Sequence, residues 1–581
     1  MDLQHRKWVV CPRIPDATLA TVPEIPPLLA QLLYNRGILN GDASLNRDVL
    51  AQFLQPRWDG GLHDPFLMAD MGRAVERILA AVERRECIGV FGHYDADGIT
   101  ALVLMTSVLK RLGARVVPYM PRRSDDYGVN DNGIAELAAQ GVTLLISVDC
   151  GIRSFLAPET AARHGMDVII TDHHTVLQGD AGDELPAAFA VLNPMRADCP
   201  YPCKSLAGVG VAFKLAQALL RAHAQRTGEP ETHYAKWLLD LVCLGTVGDV
   251  SDITGENRTL VTLGLEILKR SKRPGVQALL GVAGTNVSKL NVETVGFQLA
   301  PRINAAARME DPWLSVSLLL TTDPAEAMST ARQLNTLNNK RQEITNQAMA
   351  EIEKRYGETL LEHNAIVVDG SWPAGIIGLI AGKLREAYSR PAAVIEISNE
   401  EEAHGSARSC PGFHISDALR DCADLLSRYG GHAQAAGFAL PRQNVDAFRE
   451  RLQTLADERL RPEELVPVLA IDALLDPSEI TLDLLRVIQQ LEPCGPGNPS
   501  PLFGMRGVRV ASAETFGTTG DHLRLMLRAP DRTLRATGWR MGLLAEQFPP
   551  GAAVDIAFAL KEDSYVGLAL DIQDVAAAGE R

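Results

Sequence analysis

No uninterrupted apolar stretch in this chain is long enough to cross a bilayer. The opening residues, MDLQHRKWVV, carry an early acid and no apolar core, so they do not read as a secretory signal. Paired Cys-x-x-Cys motifs are absent, and nine cysteines, an odd number, are scattered along the chain, which excludes a zinc-finger or disulfide scaffold and fits a reducing cytoplasm. Positive charge is not in excess either. With a formal net charge of −15, nothing at whole-chain level announces a nucleic-acid binder, although a local basic groove can coexist with an acidic remainder. Aromatic residues amount to only 5%, so any nucleic-acid contact must lean on phosphate more than on stacking. No internal repeat is visible.

What the chain does have is size. Its 581 residues, with 46% hydrophobic and 22% charged, describe a soluble globular protein too long for one core, so three or four domains are expected. From Cys87 to Ala190, short β-rich runs (ECIGVFG, ARVVPYM, VTLLISVD, MDVIITD, AFAVLN) alternate with helical ones (ITALVLMTSVLKRLG, NGIAELAAQ, SFLAPETAARHG). That alternation predicts an α/β fold with a doubly wound parallel sheet, whose ligands bind at the carboxyl ends of the strands. A polar stretch without Gly or Pro, 325–356, predicts one long connecting helix. The α/β pattern restarts from about 359 to 440, and short alternating strands near the end predict a small OB-like β-barrel. The expected division is an N-terminal accessory segment (1–70), the parallel-sheet domain (71–320), the connecting helix (321–357), a second α/β domain (358–460) and the barrel (461–581).

The chemistry gathers at three strand ends. HYDADG spaces His93, Asp95 and Asp97 two apart, so an extended backbone would turn all three to one face. SVDCG adds Asp149, TDHH adds Asp172, His173 and His174, and GTVGDV adds Asp249. A lone Asp-x-Asp is often a turn, and an Asp at a strand end is often a helix cap. Three such motifs on one sheet argue instead for a shared metal centre. So many acids are costly without a cation, and the carboxylate majority favours Mn²⁺ or Mg²⁺ over Zn²⁺. There are too many ligands for one ion; two, bridged by one carboxylate, would form a clamp for attack at phosphorus.

In this order, HYDADG, SVDCG, TDHH and GDV resemble the acidic motifs of the DHH phosphoesterase superfamily. PRINAAARM (301–309), GSARS (405–409), GGHAQAAGF (430–438) and EPCGPGNPSPLF (492–503) narrow the likeness to its single-strand-specific exonucleases. The resemblance implies a DHH domain at 71–320, a DHH-associated substrate-binding domain at 358–460 and an OB-fold binding single-stranded DNA at 461–581. It implies that His93, Asp95, Asp97, Asp149, His173 and Asp249 hold two divalent cations, with Asp149 as the bridging carboxylate. His174 would face the scissile phosphate or support its neighbours, and Asp172 could orient a ligand imidazole. Arg302, Asn304 and Arg308 would donate to phosphate oxygens, and Ser406, Arg408, Ser409 and His432 would meet a phosphate or the DNA end. The family usually shows Gly where this chain has Ala307. In the barrel, Phe516, His522, Arg524 and Arg528 are the candidates for contact. The activity so implied is 5′ to 3′ exonucleolytic release of mononucleotides in recombination and repair, with a single-strand-binding protein and a helicase as companions and no membrane. The alternatives are a DHH enzyme acting on short oligonucleotides or cyclic dinucleotides, a superfamily pyrophosphatase, and a non-catalytic DNA-binding scaffold.

Overall fold

The computed structural model describes residues 6–39, 47–122, 125, 128–179, 182–228, 233–397, 401–563 and 567–581. They form two compact units, one of residues 51–343 and 493–499, the other of 1–50, 344–492 and 500–581.

The first unit is built on five parallel strands, Cys87–Phe91 (β1), Arg115–Tyr119 (β2), Val142–Val148 (β3), Asp167–Thr171 (β4) and Ala190–Leu192 (β5), in the order β2-β1-β3-β4-β5. Helices cover both faces, which is why the central strands read as nearly continuous apolar runs; every residue of β1 is buried. The order reverses between β1 and β3. In doubly wound sheets the loops leaving such a pair diverge and open a crevice. Ala96–Arg111 (α1) follows β1 and packs against Gly208–Thr227 (α2) and Leu239–Gly248 (α3).

A buried ionic cluster fixes α2. Lys214, wholly buried, donates to Glu256 Oε1 (3.0 Å) and to the His63 carbonyl (2.7 Å), while Tyr201 donates to Glu256 Oε2 (2.6 Å). Burial pulls the Lys214 pKa down against the opposing pull of Glu256. The distant segment 493–499 is laid on the loop after α3: Ile253 N–H donates to the Pro496 carbonyl (2.7 Å) and buried Arg258 to that of Pro493 (2.9 Å). Ala300–Met309 (α4) completes the helices that matter for the site.

The predicted long helix is Pro324–Tyr356 (α5), with proline at its first position, where no N–H is needed, and Asp323 Oδ1 accepting from Ala325 N–H (2.8 Å). In the second unit, Ile366–Gly370 (β6), Ala392–Glu396 (β7), Glu402–Arg408 (β8), Arg428–Gly431 (β9) and Ala435–Pro441 (β10) form a mixed sheet in the order β9-β10-β8-β7-β6, with Ala374–Tyr388 (α6) packed on it. Phe503–Phe516 (β11), His522–Arg528 (β12), Thr533–Gly538 (β13), Ala553–Asp563 (β14) and Gly567–Ala577 (β15) close into the expected barrel, because β11 pairs with β12 along one part and with β14 along another. Register shifts at Met505/Val508 and Val510/Ser512 bend β11 enough for both pairings. In the N-terminal segment Lys7–Val10 pairs in parallel with Val468–Ile471, and Trp8 Nε1 donates to Asp574 Oδ2 (2.8 Å).

Removing one partner of the Lys214–Glu256 pair leaves a bare buried charge, so Lys214→Met is expected to cost about 3–5 kcal/mol in denaturant unfolding. Lys214→Met combined with Glu256→Met should cost less than Lys214→Met alone.

Candidate metal centre

Asp95 caps α1, with an extended backbone and Oδ1 accepting from Gly98 N–H at 3.0 Å. Capping wins over continued extension here, so Asp97 reaches inward from the first helical turn and not, as its spacing suggested, along a strand. The turn is tight: a Cβ on Gly98 would lie 2.3 Å from the His93 carbonyl oxygen. Asn304, from α4, accepts from Ala96 N–H at 2.7 Å and pins the same turn.

Asp149 follows β3 in the left-handed region, φ 60°, a conformation Asp tolerates better than most residues, and its N–H donates to the Thr171 carbonyl at 2.9 Å. Asp172 follows β4. Its Oδ2 accepts from Ile152 N–H (2.9 Å), and its Oδ1 accepts from His173 N–H (2.7 Å) and lies 2.7 Å from His174 Nδ1. Burial pushes the Asp172 carboxyl up, but the His174 hydrogen bond, the two imidazoles and the Ile152 amide together bring it down to about 2. A carboxylate held this way orients its neighbours. Asp249 caps the carboxyl end of α3 and accepts from Ser251 Oγ at 2.5 Å.

The side chains converge. His93 Nδ1 lies 3.0 Å from Asp95 Oδ2 and 3.6 Å from Asp149 Oδ2; His173 Nε2 lies 3.2 Å from Asp149 Oδ1 and 3.9 Å from Asp97 Oδ2. Among the described residues, three groups have donor atoms within 4.8 Å of one another: His93, Asp95 and Asp149; Asp149, His173 and His174; Asp97, His173 and Asp249. Asp149 and His173 each belong to two of them. The start of α2 supports Asp97 from behind, with Gly208 N–H donating to Oδ2 (2.6 Å) and Val209 N–H to Oδ1 (2.8 Å). Only glycine fits at 208, where a Cβ would stand 2.4 Å from Asp149 Oδ1.

Without a cation Asp97, Asp249 and the imidazoles hold protons more readily than usual, while His93 and the Gly98 amide outweigh burial and keep the Asp95 carboxyl low. Burial and the facing Asp149 and Asp249 carboxylates hold the Asp97 carboxyl well above its ordinary range. Burial raises Asp249 to about 6, with Asp149 and Asp95 pushing the same way against His173. His173 and His93 are raised too, because the carboxylates around them outweigh their burial. Asp149 Oδ1 and His173 Nε2 are buried without a hydrogen-bond partner. A cation between them would satisfy both, and the mixed carboxylate and imidazole set suits Mn²⁺ or Mg²⁺.

The other predicted residues lie on α4, in the second unit's sheet and in the barrel. Arg302 and Arg308 are on α4, and Arg302 donates to two neutral acceptors, Asn335 Oδ1 (3.0 Å) and the Gln298 carbonyl (2.5 Å). Its burial without a counter-anion lowers its pKa. In the second unit, Ser406 and Arg408 share a face of β8, with Arg408 Nη1 3.2 Å from Ser406 Oγ; His432 is exposed in the β9–β10 turn, and Ser409 Oγ donates to the Phe413 carbonyl (2.5 Å). In the barrel, Phe516 and His522 pair across β11 and β12, their rings 5.1 Å apart, with Arg524 4.8 Å over Phe516, while Arg528 is exposed at the end of β12. Trp539, unremarked in the sequence, is 57% exposed and completes an aromatic group with them, 4.9 Å from His522. The backbone donors Gly208 and Val209 were also missed; the small-residue run AGVG was their only signal.

Family models match three parts of the chain: the DHH family N-terminal domain at 87–246, the DHHA1 domain at 362–458 and the RecJ OB domain at 471–570. The single-stranded-DNA-specific exonuclease RecJ of Bacillus subtilis is 37% identical over 535 residues, 92% of this chain, which spans 65% of that protein's length. The protein of the same name from Dickeya dadantii is 35% identical, with 89% of each chain covered. A crystal structure of RecJ in complex with Mn²⁺ from Thermus thermophilus superposes with a TM-score of 0.82 at 30% identity, covering 98% of this chain and 79% of that one.

Protons and cations compete for the cluster, so Mn²⁺ affinity is expected to fall as pH drops through about 6, where Asp249 takes up its proton. Titration calorimetry should show about a tenfold loss per unit below that point for each proton displaced. An affinity that does not change across this window would contradict the assignment.

Proposed function

The chain belongs to the RecJ family, and on that premise we propose that it hydrolyses single-stranded DNA from the 5′ end to mononucleotides, using two divalent cations, Mn²⁺ or Mg²⁺, in recombination and repair. The overlap of the three donor groups on Asp149 and His173 carries this reading. In it, His93, Asp95, Asp97, Asp149, His173 and Asp249 would hold the ions, with Asp149 as the ligand they would share. When bound, such a pair of cations lowers the pKa of a water and neutralises charge on the phosphate.

This chain's residues do the positioning. Asp172 holds His174 through Nδ1 and so fixes the orientation of the ring that is to face the scissile phosphate. The Gly208 and Val209 amides keep Asp97 fixed and favour its ionised form. Arg302, a half-buried cation with neutral acceptors, suits a phosphate oxygen, and Asn304 keeps the loop around Ala96 in place. Arg308, Ser406, Arg408 and His432 belong to the same proposal as contacts to the strand or its end, as do Phe516, His522, Arg524 and Arg528 in the barrel. The division at 71–320, 321–357, 358–460 and 461–581 is the domain reading that goes with it. So is work in the cytoplasm beside a single-strand-binding protein and a helicase. Among the described residues no helix is long and apolar enough to cross a membrane.

The test offers purified protein and Mn²⁺ or Mg²⁺ with end-labelled single-stranded DNA, duplex DNA, a dinucleotide and pyrophosphate. Stepwise loss of mononucleotides from the 5′ end of the single strand is expected, with Asp97→Ala reduced to background. Equal cleavage of duplex, or activity retained by Asp97→Ala, would overturn the reading. Asp172→Asn, which weakens the hold on the His174 ring and on the Ile152 and His173 amides, is expected to lower kcat about 10- to 100-fold.

A further inference from the structure

Phe297 is 80% exposed, more than any other aromatic side chain among the described residues. Scattered exposed apolar residues are ordinary and need no explanation. This one differs in where the fold puts it. Val295–Leu299 is a turn of π-helix running directly into α4, a rare geometry concentrated at functional sites. Val295 and Leu299 are fully buried and anchor the turn, which leaves Phe297 on its outer side.

The turn is packed onto the metal centre's own scaffold. A Cβ on Gly296 would lie 3.6 Å from Val247 Cγ1, in the last turn of α3 before Asp249. A Cβ on Gly248 would lie 3.4 Å from the Cβ of Ala300 and 2.9 Å from that of Ala96, which sits between Asp95 and Asp97. Phe297 thus precedes by three residues Ala300, which adjoins Gly248 beside Asp249, and the carbonyl of Gln298 next to it accepts from Arg302. A second apolar side chain flanks the same helix end. Val250, next to Asp249, is 68% exposed at φ 64°, a conformation a β-branched residue adopts only when the surroundings enforce it.

We propose that Phe297 stacks on the base of a nucleotide whose phosphate lies at the carboxylate and imidazole cluster, with Val250 lining the same apolar shelf. This rests on the exonuclease reading above. An unpaired base offers its π-face to a side chain in this position, whatever its identity, and the stacking would hold the strand in place while phosphates are processed.

A chemical double-mutant cycle tests this. Oligonucleotides carrying one abasic residue, stepped through the first few positions from the 5′ end, are offered to the wild type, Phe297→Ala and Phe297→Trp. On intact DNA, Phe297→Ala is expected to lose about tenfold in kcat/KM, mostly through KM, and Phe297→Trp to keep most of the activity. At one abasic position the wild type should lose a similar factor and Phe297→Ala nothing further. Thermal stability and Mn²⁺ affinity should be unchanged, because the side chain packs against neither core nor cluster. The proposal is overturned if Phe297→Ala matches the wild type on intact DNA, or if every abasic penalty persists in full in that variant. A wild type that leaves single-stranded DNA intact overturns the exonuclease reading instead, and this inference with it.

Discussion

Three carboxylates, Asp97, Asp149 and Asp249, point at one another inside the first unit, and their mutual repulsion is the constraint that the surrounding structure answers. Withdrawing even one ion from water costs several kcal/mol. The two amides of α2 that meet Asp97 return about 1.5–3 kcal/mol each, since they bond to a charged group, and the imidazoles offset part of the rest only by taking up protons. That leaves the cluster short of positive charge. A pair of divalent cations makes up the deficit directly, whereas proton uptake makes it up only by abandoning the ionised state that binds metal.

Each structural element near the cluster can be read as a response to this cost. The switch between β1 and β3 opens the crevice where His93, Asp95 and Asp149 meet. α2 presents its positive end there, and the Lys214–Glu256 cluster locks the helix in place farther along. Glycine at 98 and 208 lets backbone and carboxylate approach to distances a Cβ would forbid. Loop 493–499, fastened to Ile253 and Arg258, braces the chain just after Asp249.

Much of this was legible in the sequence. Buried parallel strands are apolar throughout, so β1, β3 and β4 stand out as runs, and the polar residues that end them stand out by contrast. The convergence of Asp149 and His173 followed from strand ends lying on one edge of a sheet, whereas Asp249 joins them from the carboxyl end of α3. What escaped detection was carried by groups without a side-chain signature or by contacts distant in the chain. Gly208 and Val209 act through backbone N–H, and Asn304 meets Ala96 across 208 residues. Trp539 joins Phe516 and His522 only once the barrel closes. The strand Lys7–Val10 finds its partner at 468–471, beyond any local pattern. Asp97 was placed in the right cluster by the wrong backbone, because its spacing fits a strand and a helix start equally well, and the Asp95 cap decided between them.

An enzyme that removes each nucleotide in turn cannot depend on base identity, and the groups around this cluster suit that requirement. Carboxylates, imidazoles and Arg302 address phosphate and the ions that meet it, which every nucleotide presents alike. The exposed ring of Phe297 has no donor or acceptor with which to read a base edge, yet every base has a face to lay against it. Aromatic residues make up only 5% of the chain, so a ring left in water one turn from the acidic loops is a costly use of a scarce residue unless an apolar surface returns to cover it. A strand passing over the cluster supplies one such surface per nucleotide. It does so only where bases are unpaired, because in a duplex each face is already covered by its neighbours and each edge by its partner.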